Sequence, residues 1–357
     1  MIRGRLAQES CLACVLACLA LPGCSPAPPP RAEAPRKVHD LSGAGAGALV
    51  NAPSPGADTP IGRPWWPSKW GADDQRGAAN HMTATRTLEA ARLIRSGKVY
   101  QLGRVYERSM PMPPNRSYTL IIPGNPTTST AIGENSLVGY DDFLIGEIGQ
   151  MGTQLDGLGH AGVRLPDGDY FYNGFKARDF ATPYGLMKLG VENVGVFFGR
   201  GVLIDVAGYK GVGRLEVGTL ITLDDVKGAL AAQGGQEIRP GDVVLIRTGH
   251  SQLWKIDNAK YTGGEPGIGL ETAYWLIEKD IALLGADNWG IEVDPPQVPN
   301  RAIEVHQHMI TKHGICFLEN LILEELAAEK TYEFAFIFAP LKLKGASGSP
   351  GNPIAVR

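Results

Sequence analysis

The sequence predicts an α/β protein built around one sheet, and three observations carry that reading. Short β-rich runs, "GVLIDVAG", "GDVVLIRTG", "IALLGAD", "ICFLEN" and "YEFAFIFAP", alternate with segments of helical pattern. All five runs fall after residue 200, so with further strands before them one large sheet is favoured over two separate domains. The chain of 357 residues is long enough to bury a substantial core without disulfide support.

The helix signals come in order. "TATRTLEAARLIRSG" runs from Thr83 to a stop at Gly97, and "TLDDVKGALAAQGG" opens with Thr222 and Asp225 at capping-box spacing before Gly234 and Gly235. "LETAYWLIEKD" and "RAIEVHQHMITKHG" continue the pattern. In the latter the helical neighbours of His306 at i−3 and i+4 are Ile303 and Ile310, which places His306 on an inward, apolar face. A lone histidine on such a face is usually a hydrogen-bonded core residue.

The N-terminal 60 residues read differently. Residues 1–24 carry Arg3 and Arg5 ahead of the apolar run "CLACVLACLALPGC", too short to span a membrane but suited to an export signal. Its end resembles a bacterial lipobox, with Leu21, Gly23 and Cys24 as the lipid-bearing residue; Pro22 departs from that pattern. Residues 25–60 are rich in Pro, Ala, Gly and Ser and read as a disordered tether, leaving residues 61–357 as the folded domain. The expectation is an exported lipoprotein facing the periplasm, or a periplasmic protein, touching the membrane only through a lipidated Cys24. The other cysteine outside the signal, Cys316, sits in an apolar run and reads as a buried hydrophobe.

Several function classes are disfavoured. The formal charge is −3 and no basic patch is interleaved with aromatics, which argues against nucleic acid as a partner. Neither GxGxxG opening a helix nor GxxxxGK[ST] occurs, and no GxSxG elbow is present. The cluster Trp65, Trp66 and Trp70 in "PWWPSKWGADDQRGAAN" reads either as packing or as an apolar wall for a substrate.

The chemistry concentrates in "EIGQMGTQLDGLGHAG". On a strand, Gln150, Gly152, Gln154 and Asp156 share one face, a polar row about 13 Å long, and the following turn supplies His160. A solvent-facing edge strand shows the same alternation, so periodicity alone leaves both readings open. Farther on, Glu319 ends the apolar "ICFLEN", where a carboxylate needs a partner, a cation or solvent.

"QMGTQLDGLGH" resembles the signature HxGTHxDxPxH of the cyclase or kynurenine-formamidase-like metal hydrolases. "VHQHMITKHGICFLENL" resembles the family's His-plus-Glu segment and "PLKLKGASGSPG" its closing run, so the likeness extends over roughly Trp65 to Arg357. The resemblance implies a cyclase-like fold, a mixed and partly barrel-like sheet flanked by helices. It implies metal ligands at Gln150, Gln154, Asp156, His306 and Glu319, and His160 as the acid/base. Two departures stand out: glutamines replace the first two histidines, and Leu158 replaces the signature proline. Each glutamine exchanges a neutral nitrogen ligand for a neutral oxygen, keeping the formal charge but favouring harder ions. One divalent ion, Mn2+ or Zn2+, is therefore expected. The implied reaction is hydrolysis of a C–N bond in a formamide, lactam or other small cyclic amide, by a homodimer or higher homo-oligomer. A metal-free binding lipoprotein and a lyase or dehydratase on the same scaffold are the alternatives.

Overall fold

A computed structural model of the chain describes residues 59–123 and 131–357. The export signal, Cys24 and the tether up to residue 58 lie outside the described residues. Among the described residues no helix is long and apolar enough to cross a membrane.

Thirteen strands matter to the site and its surroundings. They are β1 (Val99–Gln101), β2 (Tyr118–Ile121), β3 (Phe143–Gly146), β4 (Gln154–Asp156), β5 (Val163–Leu165), β6 (Gly168–Tyr170), β7 (Phe197–Asp205), β8 (Val243–Arg247), β9 (Leu283–Ala286), β10 (Cys316–Glu319), β11 (Glu333–Phe338), β12 (Gly348–Pro350) and β13 (Ile354–Val356). Nine of them form one mixed sheet in the order β1-β13-β11-β7-β8-β9-β10-β4-β12, which curls into a half-barrel. The four central strands β7 to β10 run parallel, and the strands on both flanks are antiparallel.

The physical reason follows from composition. The parallel strands are buried along nearly their whole length, and continuous runs such as "VVLIR" and "LLGA" supply apolar side chains to both faces. Their core is closed by helices α1 (Ala84–Ala91), α2 (Leu223–Ala232) and α3 (Leu270–Glu278). Thr83 caps α1 by accepting from Arg86 N, and the Thr222–Asp225 capping box at α2 is formed reciprocally.

Two elements differ from the sequence reading. The stretch before β4 is not strand: Gly152 adopts φ +62°, and a Cβ there would lie 2.6 Å from the Tyr106 ring. The chain therefore turns at Gly152, and only Gln154–Asp156 joins the sheet, between β10 and β12 with all three residues buried. This excludes the solvent-facing edge strand. The helix expected around His306 is also shorter. Ile303 sits in the left-handed region as the N-cap, about half exposed, and α4 (Glu304–His306) passes directly into a π-helical turn, Gln307–Lys312. His306 still points inward, but Ile303 takes no part in an apolar stripe with it.

Candidate active site

The register of the antiparallel β4–β10 pair builds the site. Glu319 lies opposite Gln154 and Phe317 opposite Asp156, so two side chains far apart in sequence meet across the ladder. Gln154 Nε2 donates to Glu319 Oε2 at 2.9 Å. Gln150, brought back by the turn at Gly152, donates from Nε2 to Asp156 Oδ1 at 3.1 Å. The turn itself is pinned from β10: Asn320, in the left-handed region at φ 57°, donates from Nδ2 to Gly152 O and accepts at its carbonyl from Thr153 Oγ1.

Two imidazoles complete the group. His160 Nε2 lies 3.4 Å from Asp156 Oδ2, and His306 Nε2 lies 3.6 Å from the same oxygen and 3.5 Å from Glu319 Oε1. The two rings sit 6.0 Å apart, centroid to centroid, and His306 also packs edge-on against buried Phe317 at 4.8 Å. Ligand atoms of Asp156, His160 and His306 all fall within 4.8 Å of one another, close enough to share one ion. Gln154, Asp156, His306 and Glu319 are buried, whereas His160 and Gln150 are half-buried. The cluster thus opens to solvent on the side of those two residues.

The charges are tightly matched. Burial would raise the Asp156 carboxyl, but the positive charges of His160 and His306 and the Gln150 amide outweigh it and hold it below the usual carboxylate range. Burial and the neighbouring Asp156 push Glu319 up to about 8, only partly offset by His306 and Gln154. Burial lowers His160 despite the Asp156 carboxylate beside it. His306 moves the other way, because Asp156, Glu292 and Glu319 together overcome its burial. At neutral pH this makes His160 a neutral proton acceptor beside an ionised Asp156.

The donor set also fits a cation. Gln154 Oε1 and Glu319 Oε1 are fully buried acceptors that form no hydrogen bond, Glu319 Oε1 facing His306 Nε2 at 3.5 Å. Unpaired buried acceptors of this kind are costly unless a proton or a positive ion meets them. Asp156, Glu319 and Gln154 would offer oxygen and His306 nitrogen, an oxygen-rich set for a hard divalent ion.

The tryptophans lie elsewhere. Trp65 and Trp66 line a cavity of about 370 Å³ with Lys69, Tyr172, Lys312 and His313, and none of the cluster residues borders it. Trp66 stacks on Tyr170 of β6, Trp65 Nε1 donates to Phe171 O, and Trp70 meets His81 edge-on. Cys316 is buried in the core, which pushes its thiol up to about 12 and leaves it inert as a nucleophile. The sequence reading missed Glu292, whose Oε1 lies 2.5 Å from His306 Nδ1, and Asn320. Asn320 could have been noticed as a turn-tolerant residue directly after Glu319; for Glu292 the only signal was a single acid in the apolar "NWGIEV".

A group of two buried carboxylates, two imidazoles and two carboxamides, half-buried on the side of His160 and Gln150 and assembled near one edge of a curled mixed sheet, defines a hydrophilic centre suited to binding an ion or a small polar molecule. The family profile described as "Putative cyclase" matches residues 79–293. A crystal structure of a novel cyclase superposes with a TM-score of 0.72 at 37% identity, covering 82% of this chain and 97% of that one. The chain belongs to the cyclase family. A kynurenine formamidase from Bacillus cereus is 40% identical over 85 residues, which is 24% of this chain and 37% of the relative. The match therefore spans little more than a third of that relative's length. Isatin hydrolase A from Ralstonia solanacearum shares the fold, with a TM-score of 0.53 at 21% identity over 77% of this chain and 98% of that one.

Proposed function

We propose that the protein is a metal-dependent hydrolase that cleaves a C–N bond of a small formamide, lactam or other cyclic amide, with His160 as acid/base. The observation that carries this reading is the convergence of Gln154, Asp156, His160, His306 and Glu319 in one cluster in which two buried acceptor oxygens form no hydrogen bond. The local identity with a kynurenine formamidase supports the choice of amide substrates.

Asp156, Glu319, His306 and Gln154 would hold one divalent ion, Mn2+ or Zn2+, with Gln150 bracing Asp156. When bound, the ion supplies positive charge that polarises the substrate carbonyl and acidifies water. His160 takes the proton of the attacking water, and the resulting imidazolium is stabilised by Asp156 Oδ2, 3.4 Å from Nε2. It then returns that proton to the leaving nitrogen. The half-buried edge of His160 leaves room for substrate to approach.

A second reading is favoured by one observation: the amide N–H groups of Gln150 and Gln154 already satisfy one oxygen each of Asp156 and Glu319. A metal-free binding protein would use the site in that form. Elemental analysis of protein purified without chelator, with a hydrolysis screen of formanilides, lactams and cyclic imides, separates the two. About one bound ion and release of amine support the hydrolase; absence of metal, of a metal-dependent melting shift and of turnover rejects it. In the same assay, Gln150→His combined with Gln154→His is expected to raise zinc affinity relative to manganese by at least about tenfold, because imidazole suits zinc better than an amide oxygen does.

The hairpin β2–β3 supports a homodimer. Among the described residues its two strands pair only with each other, and Leu120, Ile121, Phe143, Leu144 and Ile145 are all exposed. A lone two-stranded ribbon is marginal in water, so its apolar faces call for cover. Phe143→Asp with Ile145→Asp is expected to convert a dimer into monomer in light scattering; a wild-type monomer rejects the arrangement. For the N-terminal segment the proposal is a lipoprotein exported to the periplasm, tested by acyl labelling at Cys24.

A further inference from the structure

The loop that follows β9, "DNWGIEVD", approaches the short helix that carries His306. Its Glu292 makes three contacts there: Oε2 accepts from Val305 N at 3.0 Å, and Oε1 accepts from His306 N at 3.1 Å and pairs with His306 Nδ1 at 2.5 Å. His306 presents its other nitrogen, Nε2, to Asp156 and Glu319. The imidazole is thereby clamped between an outer carboxylate and the two inner ones.

The backbone on both sides of this contact is strained in the same way. Ile291, immediately before Glu292, has φ +64°, and Ile303, the N-cap of the His306 helix, has φ +57°. Both are β-branched residues in the left-handed region, a conformation that persists only where the surroundings impose it. At Ile291 those surroundings are visible. Asn288 Oδ1 accepts from Ile291 N, Asn288 Nδ2 donates to Pro266 O, and buried Glu265 accepts from Trp289 N at 2.8 Å. Ile291 O accepts from Ile268 N, and Val293 N donates to Ile268 O. The loop is bolted to its neighbours on either side of Glu292.

We propose that Glu292 is a positioning residue that keeps the His306 proton on Nδ1 and so turns the unprotonated Nε2 toward the ion held with Asp156 and Glu319. A ring nitrogen can ligate only through a free lone pair, and a carboxylate on the far nitrogen fixes both tautomer and ring orientation. Glu265 and Asn288 act one step farther out, by holding the loop that aims Glu292. This rests on the metal-dependent reading of the site.

The test uses zinc chloride as probe and two measurements, calorimetric affinity and long-range proton–nitrogen spectra of the histidines. In the zinc-loaded wild type the His306 proton is expected on Nδ1; a proton on Nε2 overturns the proposal without any variant being made. Glu292→Ala is expected to weaken zinc binding about 10- to 100-fold, the usual effect of losing such a partner. Glu292→Gln keeps an acceptor oxygen for Nδ1–H and is expected to recover most of that loss. A purely structural role predicts instead a lower melting temperature with zinc affinity unchanged in the folded fraction, and that result also overturns the proposal. If the wild type takes up no zinc, the metal reading fails separately. The positioning role is then decided on the metal-free protein: it stands if the His306 Nδ1 proton exchanges slowly in wild type and rapidly in Glu292→Ala, and falls if both exchange alike.

Discussion

His160→Ala is expected to lower kcat on an amide substrate roughly 10²- to 10⁴-fold, the usual worth of a positioned acid/base, while the melting temperature changes little. The side chain is half-buried and meets the cluster through Asp156 Oδ2, 3.4 Å from Nε2, and the His306 ring, 6.0 Å away between centroids. Its removal therefore opens space at the mouth of the site without orphaning a buried group. The wild-type pH profile carries a related expectation. Burial lowers His160 from its ordinary value of 6.5, so the proton-accepting form persists on the acid side of neutrality. The acid limb of kcat/KM should accordingly fall below pH 6.5 and vanish with the histidine. Full activity in the purified variant removes His160 from the mechanism.

Asp156→Asn is expected to have the larger effect on the ion. Asp156 is the hub of the cluster: one oxygen accepts from Gln150, and the other faces both His160 and His306. The substitution conserves volume but deletes one of the two carboxylates that face His306, leaving Glu319 alone to offset a dication. Too little negative charge is left to hold a dication. Losing several kcal/mol of charge stabilisation corresponds to roughly 10³-fold in turnover or more. The metal-dependent rise in melting temperature should disappear with it. There is a compensating sign at Glu319, whose carboxyl drops back toward its ordinary range once Asp156 no longer repels its ionised form. An Asn variant that keeps both the metal-dependent shift and turnover shows that the ion, if present, sits elsewhere.

Much of this was legible in the chain, for identifiable reasons. "GDVVLIRTG" and "IALLGAD" announce their strands because a parallel strand buried on both faces must be apolar throughout. The α2 boundary was legible because a capping box is a local device, complete within Thr222–Asp225. Gln150, Gln154, Asp156, His160, His306 and Glu319 could be gathered through the resemblance to the cyclase signature and tail, and the ladder register sets Glu319 opposite Gln154. What escaped depends on contacts between distant segments. Gly152 was read as a strand position because its left-handed turn is dictated by the Tyr106 ring, 46 residues earlier in the chain. The helical stripe assigned to Ile303 and His306 failed because a loop carboxylate, not an apolar face, orients the histidine. No local pattern marks Glu292 as facing a residue 14 positions ahead of it.

The place of β4 in the sheet has a consequence for biosynthesis. Both of its ladder neighbours, β10 at Cys316–Glu319 and β12 at Gly348–Pro350, are made more than 150 residues after it. A nascent chain still short of residue 316 can stack β7, β8 and β9 but holds Asp156 on an unpaired edge, without Glu319 to face Gln154. Assembly of the polar cluster is thus a late event, and products truncated before Glu319 carry part of the scaffold with no complete centre.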